Sequence, residues 1–248
     1  MRMATDKPSA PTRMSLGKPT APGNRQIRRH VAVALAALLL TYVFWSSRAE
    51  WSPMHAWNRA LADVSLVLLA VSMAIGPLAR VWATAGRLLP WRRETGIWTV
   101  VYGAAHTVVI LDGWVEWDLV RLFGFLRHPQ FDQYVMILHG FGLGNILGIL
   151  ALLYGAVLLA TSNNASQRFL GGSVWKFLQQ GSYTLWMLVV AHTGYFLYLN
   201  FLDFHRRIPE PNWLQLPFAG LVAAVAVLQG AAFWITWRRR SRTAAGLS

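Results

Sequence analysis

The 248-residue chain contains no cysteine, and this absence removes several kinds of chemistry at once. Disulfides, thiolate nucleophiles, cysteine-ligated iron–sulfur clusters and covalent CxxCH haem attachment all need cysteine sulfur. Charged residues are also scarce, at 13% against roughly a quarter in soluble domains, whereas apolar residues make up 55%. With a mean hydropathy of +0.37, this composition predicts a membrane protein rather than a soluble globule.

Acidic residues are few, since 10 Asp and Glu stand against 23 Lys and Arg, which gives a net charge of +13. A surplus of this size could indicate nucleic-acid binding, but here the basic residues lie in tails and short loops between apolar runs. Seventeen of them fall on the side that carries both termini, and six fall on the other. The positive-inside rule therefore predicts cytoplasmic termini, with membrane lipid and not nucleic acid as the surrounding partner.

Six apolar runs approach the length that a helix needs to cross a bilayer. They lie at 28–46, 60–79, 95–112, 133–160, 177–201 and 213–237. The first is short enough to pass for a signal peptide, but no small-x-small cleavage site follows it, which favours a retained helix. The predicted fold class is an all-α polytopic membrane protein, a six-transmembrane-helix bundle.

The predicted domain organisation has three parts. Residues 1–26 form a disordered basic cytoplasmic tail, 27–240 form the six-helix transmembrane domain, and 241–248 form a short cytoplasmic tail. The loop at 113–132 holds most of the outward acids and aromatics, so it is predicted to lie at the membrane interface.

Three of the seven histidines fall inside predicted spans: His106, His139 and His192. An ionisable residue at that depth is costly and normally faces the bundle interior with a partner. His106 and His192 lie at comparable depth in the outer half, and small neighbours leave room for a flat macrocycle. Two such imidazoles can ligate a haem iron axially from opposite faces, whereas zinc would need three or four ligands. The alternative is a neutral imidazole that is hydrogen-bonded inside the bundle.

Glycines follow His139 at every fourth position: Gly140, Gly144 and Gly148. This spacing predicts a small-residue ridge for close helix or haem packing. A nucleotide-binding loop is excluded because the run follows no strand and sits in an apolar helix. His139 itself could contact a haem propionate, ligate a second haem or hydrogen-bond within the bundle, and the last is favoured.

Two blocks of residues carry a resemblance to a known family. The blocks are Gly76-Pro77-Leu78-Ala79-Arg80 through Arg92-Arg93 to His106, and Gln167-Arg168 through Trp175-Lys176-Phe177-Leu178 to His192. Over about residues 28–237 the chain resembles the ferric-reductase-like transmembrane superfamily, most closely the haem-binding membrane subunits of periplasmic methionine sulfoxide reductase systems. The resemblance implies that His106 and His192 are the metal ligands of a b-type haem.

The chain departs from that family at Gln179, where the family places another haem-ligating histidine. One haem b is therefore expected rather than two. With this haem toward the outside, membrane quinol is the easier electron donor, and a cytoplasmic flavin reductase is the other candidate. Arg80, Arg92 and Arg93 would suit the phosphate charge of FMN as cofactor-binding residues, although positive-inside topology alone would also place them there.

The predicted function is that of a haem-binding electron-transfer subunit in a bacterial inner (plasma) membrane. It would pass electrons to a periplasmic acceptor such as a methionine sulfoxide reductase subunit, with no catalytic residue of its own. The alternatives are a terminal ferric-chelate reductase and a haem-free membrane scaffold or transporter. Outward Arg127, Arg206 and Arg207 are candidates for holding haem propionates. Asp63 could snorkel, pair with an arginine or serve a quinol site.

Overall fold

The computed structural model describes residues 23–136, 140–199 and 212–244. Most of these residues are helical. In chain order the helices are α1 (Asn24–Ser46), α2 (Pro53–Val81), α3 (Trp91–Gly113), α4 (Phe141–Thr161), α5 (Asn164–Leu170), α6 (Gly172–Gln179), α7 (Gly181–Gly194) and α8 (Gln215–Ala244). Two short 3-10 turns, Ala83–Leu88 and Leu119–Phe123, connect neighbouring elements.

Five of the described helices, α1, α2, α3, α4 and α8, are long and apolar enough to cross a membrane. The fifth predicted span corresponds to α7, whose 14 residues continue into a π-helical turn of five residues, Tyr195–Leu199. An all-α polytopic architecture is confirmed to this extent. The sixth crossing and the cytoplasmic position of the termini stay predictions.

The helix α2 is central, because it packs against α1, α3, α7 and α8. On one side its Val64 and Leu68 join Val33, Ala37 and Tyr102 in a buried cluster with α1 and α3. On other sides it packs into a larger cluster with α4, α7 and α8. Since both clusters share α2, this helix fixes the positions of α3 and α7 relative to each other.

The outer faces of the bundle are apolar. Large hydrophobic side chains on α1 and α8 are exposed, among them Leu35, Leu39, Val227 and Phe233. An exposed apolar surface of this kind is unfavourable in water and suits contact with lipid chains. The bundle is therefore enclosed by the surface that a membrane protein needs.

The segment before α4 differs from the sequence-based expectation. Strand β1 (Phe125–His128) pairs antiparallel with β2 (Gln133–Met136) in a two-stranded hairpin. The fourth helix begins at Phe141 and not at 133, so the predicted start of that span is wrong. Its first preceding residue, Gly140, has a φ of 79°, a left-handed conformation that favours glycine.

Polar contacts hold the hairpin together, and a search of the sequence for apolar runs does not detect them. The Tyr134 hydroxyl donates a hydrogen bond to Asp118 at 2.8 Å. Arg127 forms an ion pair with Asp132 across the turn at 2.6 Å. The predicted interfacial segment is thus an ordered turn and hairpin.

Candidate functional site

The helices α3 and α7 bring His106 and His192 together. The centroids of the two imidazole rings are 6.4 Å apart, and their planes are inclined by 77°. Two imidazoles bonded at about 2 Å to opposite sides of one metal ion have ring centres roughly 6 Å apart. The separation therefore fits one metal ion between the rings.

A backbone carbonyl orients each ring. Nδ1 of His106 donates to the carbonyl oxygen of Asn58 at 3.0 Å, and Nδ1 of His192 donates to that of Gly144 at 2.7 Å. Because a carbonyl oxygen only accepts, each Nδ1 carries the ring proton and each Nε2 keeps its lone pair. This is the arrangement in which histidine binds a metal through Nε2 while a second hydrogen bond fixes the ring.

Glycines on α4 allow the close approach of α7 and of the π-helical turn that follows it. A β-carbon added at Gly148 would lie 2.8 Å from Cε1 of His192, and one added at Gly144 would lie 2.5 Å from Cζ of Phe196. The predicted glycine ridge therefore packs closely at these two positions. Gly140 is different, because it precedes α4 instead of lying on it.

Two cavities flank the histidine pair. The central cavity extends from both rings past Gly103 and Gly148 toward Val100 and Leu185. The Arg59 cavity extends from both rings in another direction. Its lining residues include Asn58, Arg59, Asp63, Trp114, Phe141 and Leu214. Both cavities meet at the two rings, so open space continues from the histidine pair in two directions.

Charged groups lie beside the Arg59 cavity. Arg48 and Asp63 are both buried and form an ion pair at 2.5 Å. The guanidinium of Arg48 also lies over the rings of Trp51 and Trp213, at 5.8 and 5.2 Å from their centroids. Of the roles considered for Asp63, pairing with an arginine is the one that the structure shows.

A third cavity, the basic cavity, lies toward the opposite ends of α3 and α7. Its basic lining residues are Arg80, Arg92, Arg93 and Lys176. The described residues that line it include no histidine, methionine or acidic residue. Gln179 also lines it and donates from Nε2 to the Thr161 hydroxyl at 3.0 Å.

Two of these arginines are held by hydrogen bonds to neighbouring helix ends. Arg93 donates to the carbonyl oxygen of Ser162 at 2.8 Å and to Oδ1 of Asn164 at 2.9 Å. Arg92 donates to the Ser182 hydroxyl at 3.5 Å. The structure thus brings the three predicted cofactor-binding arginines into one cavity, away from the histidine pair.

Four further residues belong to the predicted site. His139, Arg206 and Arg207 lie outside the described residues. Arg127 is in the hairpin, paired with Asp132, and lines none of the three cavities. Nowhere in the described ranges do three or more His, Asp or Glu residues form a group that could hold a metal ion.

Sequence reasoning missed Arg59, which it counted only among the outward basic residues. Arg59 lies in α2 and lines the cavity that both histidines share. The signal that could have found it is its spacing of four residues from Asp63, which places both on one helix face. No comparable sequence pattern indicates that the backbone carbonyl groups of Asn58 and Gly144 orient the two rings.

Comparison with known proteins adds an independent observation. No protein-family model matches the chain. The chain is similar to the protein-methionine-sulfoxide reductase heme-binding subunit MsrQ of Ralstonia nicotianae, with 26% identity over 212 residues. It resembles MsrQ. The similarity to MsrQ spans 84% of this chain and 86% of that protein, so it extends over most of the helical domain.

This similarity confirms the resemblance to the family that the sequence motifs predicted. The described chain also has five apolar helices of membrane-spanning length. Together, the helices and the similarity to MsrQ confirm a multi-pass membrane protein.

Proposed function

We propose that this chain is an electron-transfer subunit of a bacterial inner membrane that binds one b-type haem between His106 and His192. The observation that carries the proposal is the 6.4 Å separation of two rings whose Nδ1 atoms both donate to backbone carbonyls. The similarity to a heme-binding subunit supports it. A haem bound there would supply one-electron oxidation and reduction.

The chain's own residues would set the affinity and potential of such a group. The carbonyl oxygens of Asn58 and Gly144 fix the two rings and increase the basicity of their Nε2 atoms. Apolar side chains of the central cavity, such as Val100 and Leu185, exclude water from the region between the helices. Low local polarity of this kind is a main determinant of a metal centre's potential.

The basic cavity supports the proposal of a single haem. The described residues around it offer no histidine, and the amide of Gln179 is engaged with Thr161. An amide is a poor substitute for imidazole as an iron ligand. A second haem would therefore lack iron ligands of the kind that His106 and His192 would supply at the first site.

We propose membrane quinol or a cytoplasmic flavin reductase as the electron donor. Arg80, Arg92 and Arg93 meet in the basic cavity without an acid among its described lining residues, which suits the phosphate of a flavin such as FMN or an acidic partner surface. The proposed acceptor is a periplasmic reductase subunit. The analogy is with the similar Ralstonia protein, whose name describes it as the heme-binding subunit of a protein-methionine-sulfoxide reductase.

The deciding experiment is a reduced-minus-oxidised absorption spectrum of the full chain purified in detergent, with haem quantified as its pyridine complex. We expect one b-type haem per chain. His106→Ala and His192→Ala should each lose it. His128→Ala is the matched control, because this histidine lies in the hairpin and lines none of the three cavities.

A wild-type chain without haem would favour the scaffold or transporter alternative instead. Haem that persists in both site variants would show that the ligands lie elsewhere. To separate an electron-transfer subunit from a terminal ferric-chelate reductase, the reduced protein is mixed with ferric citrate. Rapid reoxidation by the chelate, without a protein acceptor, would contradict the proposed role.

A further inference from the structure

The Arg59 cavity has one more cation than anion beside it. Asp63 is the only acidic residue among the described residues that line it, and Arg48 already pairs with Asp63 at 2.5 Å. Arg59 lies close enough to both groups to interact with them electrostatically. Arg59 itself makes no hydrogen bond or ion pair with another described residue. Two guanidinium groups and one carboxylate leave a net positive charge at the cavity wall.

An uncompensated positive charge inside a helical bundle is costly and normally has an anionic partner. The planar guanidinium of arginine presents parallel N–H donors that match the two oxygens of a carboxylate. Arg59 lines the cavity, and no described residue accepts a hydrogen bond from its guanidinium. In the part of the chain that the structure describes, the cavity wall therefore offers cationic N–H donors, which is the chemistry that recognises a carboxylate.

We propose that Arg59 anchors the carboxylate side chains of the haem whose iron binds His106 and His192. This inference rests on the function proposed above. Its basis is that Arg59 and both histidines line one cavity, so a macrocycle held between the rings shares that space with the guanidinium. The role therefore belongs to a residue of α2 and not to Arg127 of the hairpin, which the sequence suggested.

The test compares haem with its dimethyl ester, in which both carboxylates are uncharged. Full-length protein produced under haem limitation is titrated in detergent with each form. The wild type should bind haem about tenfold more tightly than the ester, since a charge-assisted pair contributes on that scale. Arg59→Gln should bind both forms equally, whereas Arg59→Lys should keep part of the preference.

A second readout is the midpoint potential, which does not depend on activity. Removing a positive charge near the iron disfavours the reduced state, so the potential of Arg59→Gln should fall below that of the wild type. Arg127→Gln is the control for both measurements, because Arg127 pairs with Asp132 in the hairpin. It should keep the wild-type preference and potential.

Each outcome has a distinct meaning. Equal binding of haem and ester by the wild type would overturn the anchor while leaving the proposed function intact. A preference that survives in Arg59→Gln would also overturn it, because another residue would then bind the carboxylates. If the glutamine variant does not fold, Arg59→Met supplies the neutral replacement. A wild type that binds neither form would overturn the proposed function and the anchor together.

Discussion

The imidazole of His192 occupies the space beside Gly148 so closely that a β-carbon there would lie 2.8 Å from Cε1 and 3.0 Å from Nδ1. Real side chains do not tolerate such an approach, and Nδ1 of the ring is already held by its hydrogen bond to the Gly144 carbonyl. The position of His192, one of the two proposed ligands, thus depends on Gly148 of α4 having no side chain.

Gly148→Ala should therefore displace His192 and reduce the haem content of the purified protein about tenfold or more, the usual scale for residues that orient a ligand. The measurement is the ratio of haem absorbance to protein. Gly220→Ala is the control, since no heavy atom lies within 4 Å of a β-carbon built there. Full haem content and an unchanged spectrum in Gly148→Ala would show that the ring can move without loss.

Gln179 lies in the basic cavity, where the family pattern has a histidine. We expect Gln179→Ala to retain one haem per chain. Gln179→His should also retain only one, because no other histidine is among the described residues that line this cavity. The pyridine complex gives the stoichiometry, with His192→Ala as the variant that should lose haem. Two haems per chain in Gln179→His would contradict the single-site proposal.

The Arg48–Asp63 ion pair is buried, so replacing only one of the two residues should lower the free energy of unfolding strongly. Asp63→Leu removes the described acid that pairs with Arg48 and interacts with Arg59, and it should destabilise the protein by about 3–5 kcal/mol. Arg48→Met combined with Asp63→Leu should recover much of this loss, because no unpaired charge from the pair remains. Thermal unfolding in detergent, followed by circular dichroism, checks both variants. A double variant as unstable as Asp63→Leu would argue against coupling between the pair.

Tyr134 should titrate above the ordinary tyrosine range. The hydrogen bond that its hydroxyl donates to Asp118 raises the pKa of Tyr134, and the nearby carboxylate charge acts in the same direction. This raised pKa stabilises the folded hairpin at pH values below the ordinary tyrosine pKa of about 10, and the contribution is lost as pH rises through the folded pKa.

Asp118→Asn should bring the pKa of Tyr134 back toward its ordinary value. The check is an NMR titration of protein labelled with ¹³C at tyrosine Cζ, in which Tyr134→Phe assigns the signal. The other tyrosines in the same spectrum are internal references. An identical titration curve for Tyr134 in wild type and Asp118→Asn would contradict the expected role of the hydrogen bond.

The apolar runs predicted the positions of most long helices but not their ends. The second run was predicted at 60–79, whereas α2 begins at Pro53 and ends at Val81. Helical hydrogen bonding continues past the apolar residues here, since proline is favourable at the first position of a helix. The fourth run failed at its start because Tyr-Val-Met is equally compatible with a strand, and the pairing with β1 is a tertiary contact.

At the site, the sequence predicted which histidines lie at similar depth, and the structure brings those two rings together. It could not predict which carbonyl groups accept from their Nδ1 atoms. These oxygens, of Asn58 and Gly144, come from two other helices, α2 and α4, and depend on how the bundle packs. Arg59 was missed because a charge count treats every outward arginine alike, whereas its importance comes from the cavity beside it.

The contact between the Arg48 guanidinium and the Trp213 ring joins distant parts of the chain, because Arg48 follows α1 and Trp213 precedes α8. Synthesis proceeds from the N-terminus, so α8 emerges from the ribosome after the other helices described above. Until then the guanidinium lacks one of its two aromatic neighbours. A nascent chain that stalls before Trp213 would therefore present an incompletely shielded charge to the translocon and to membrane proteases.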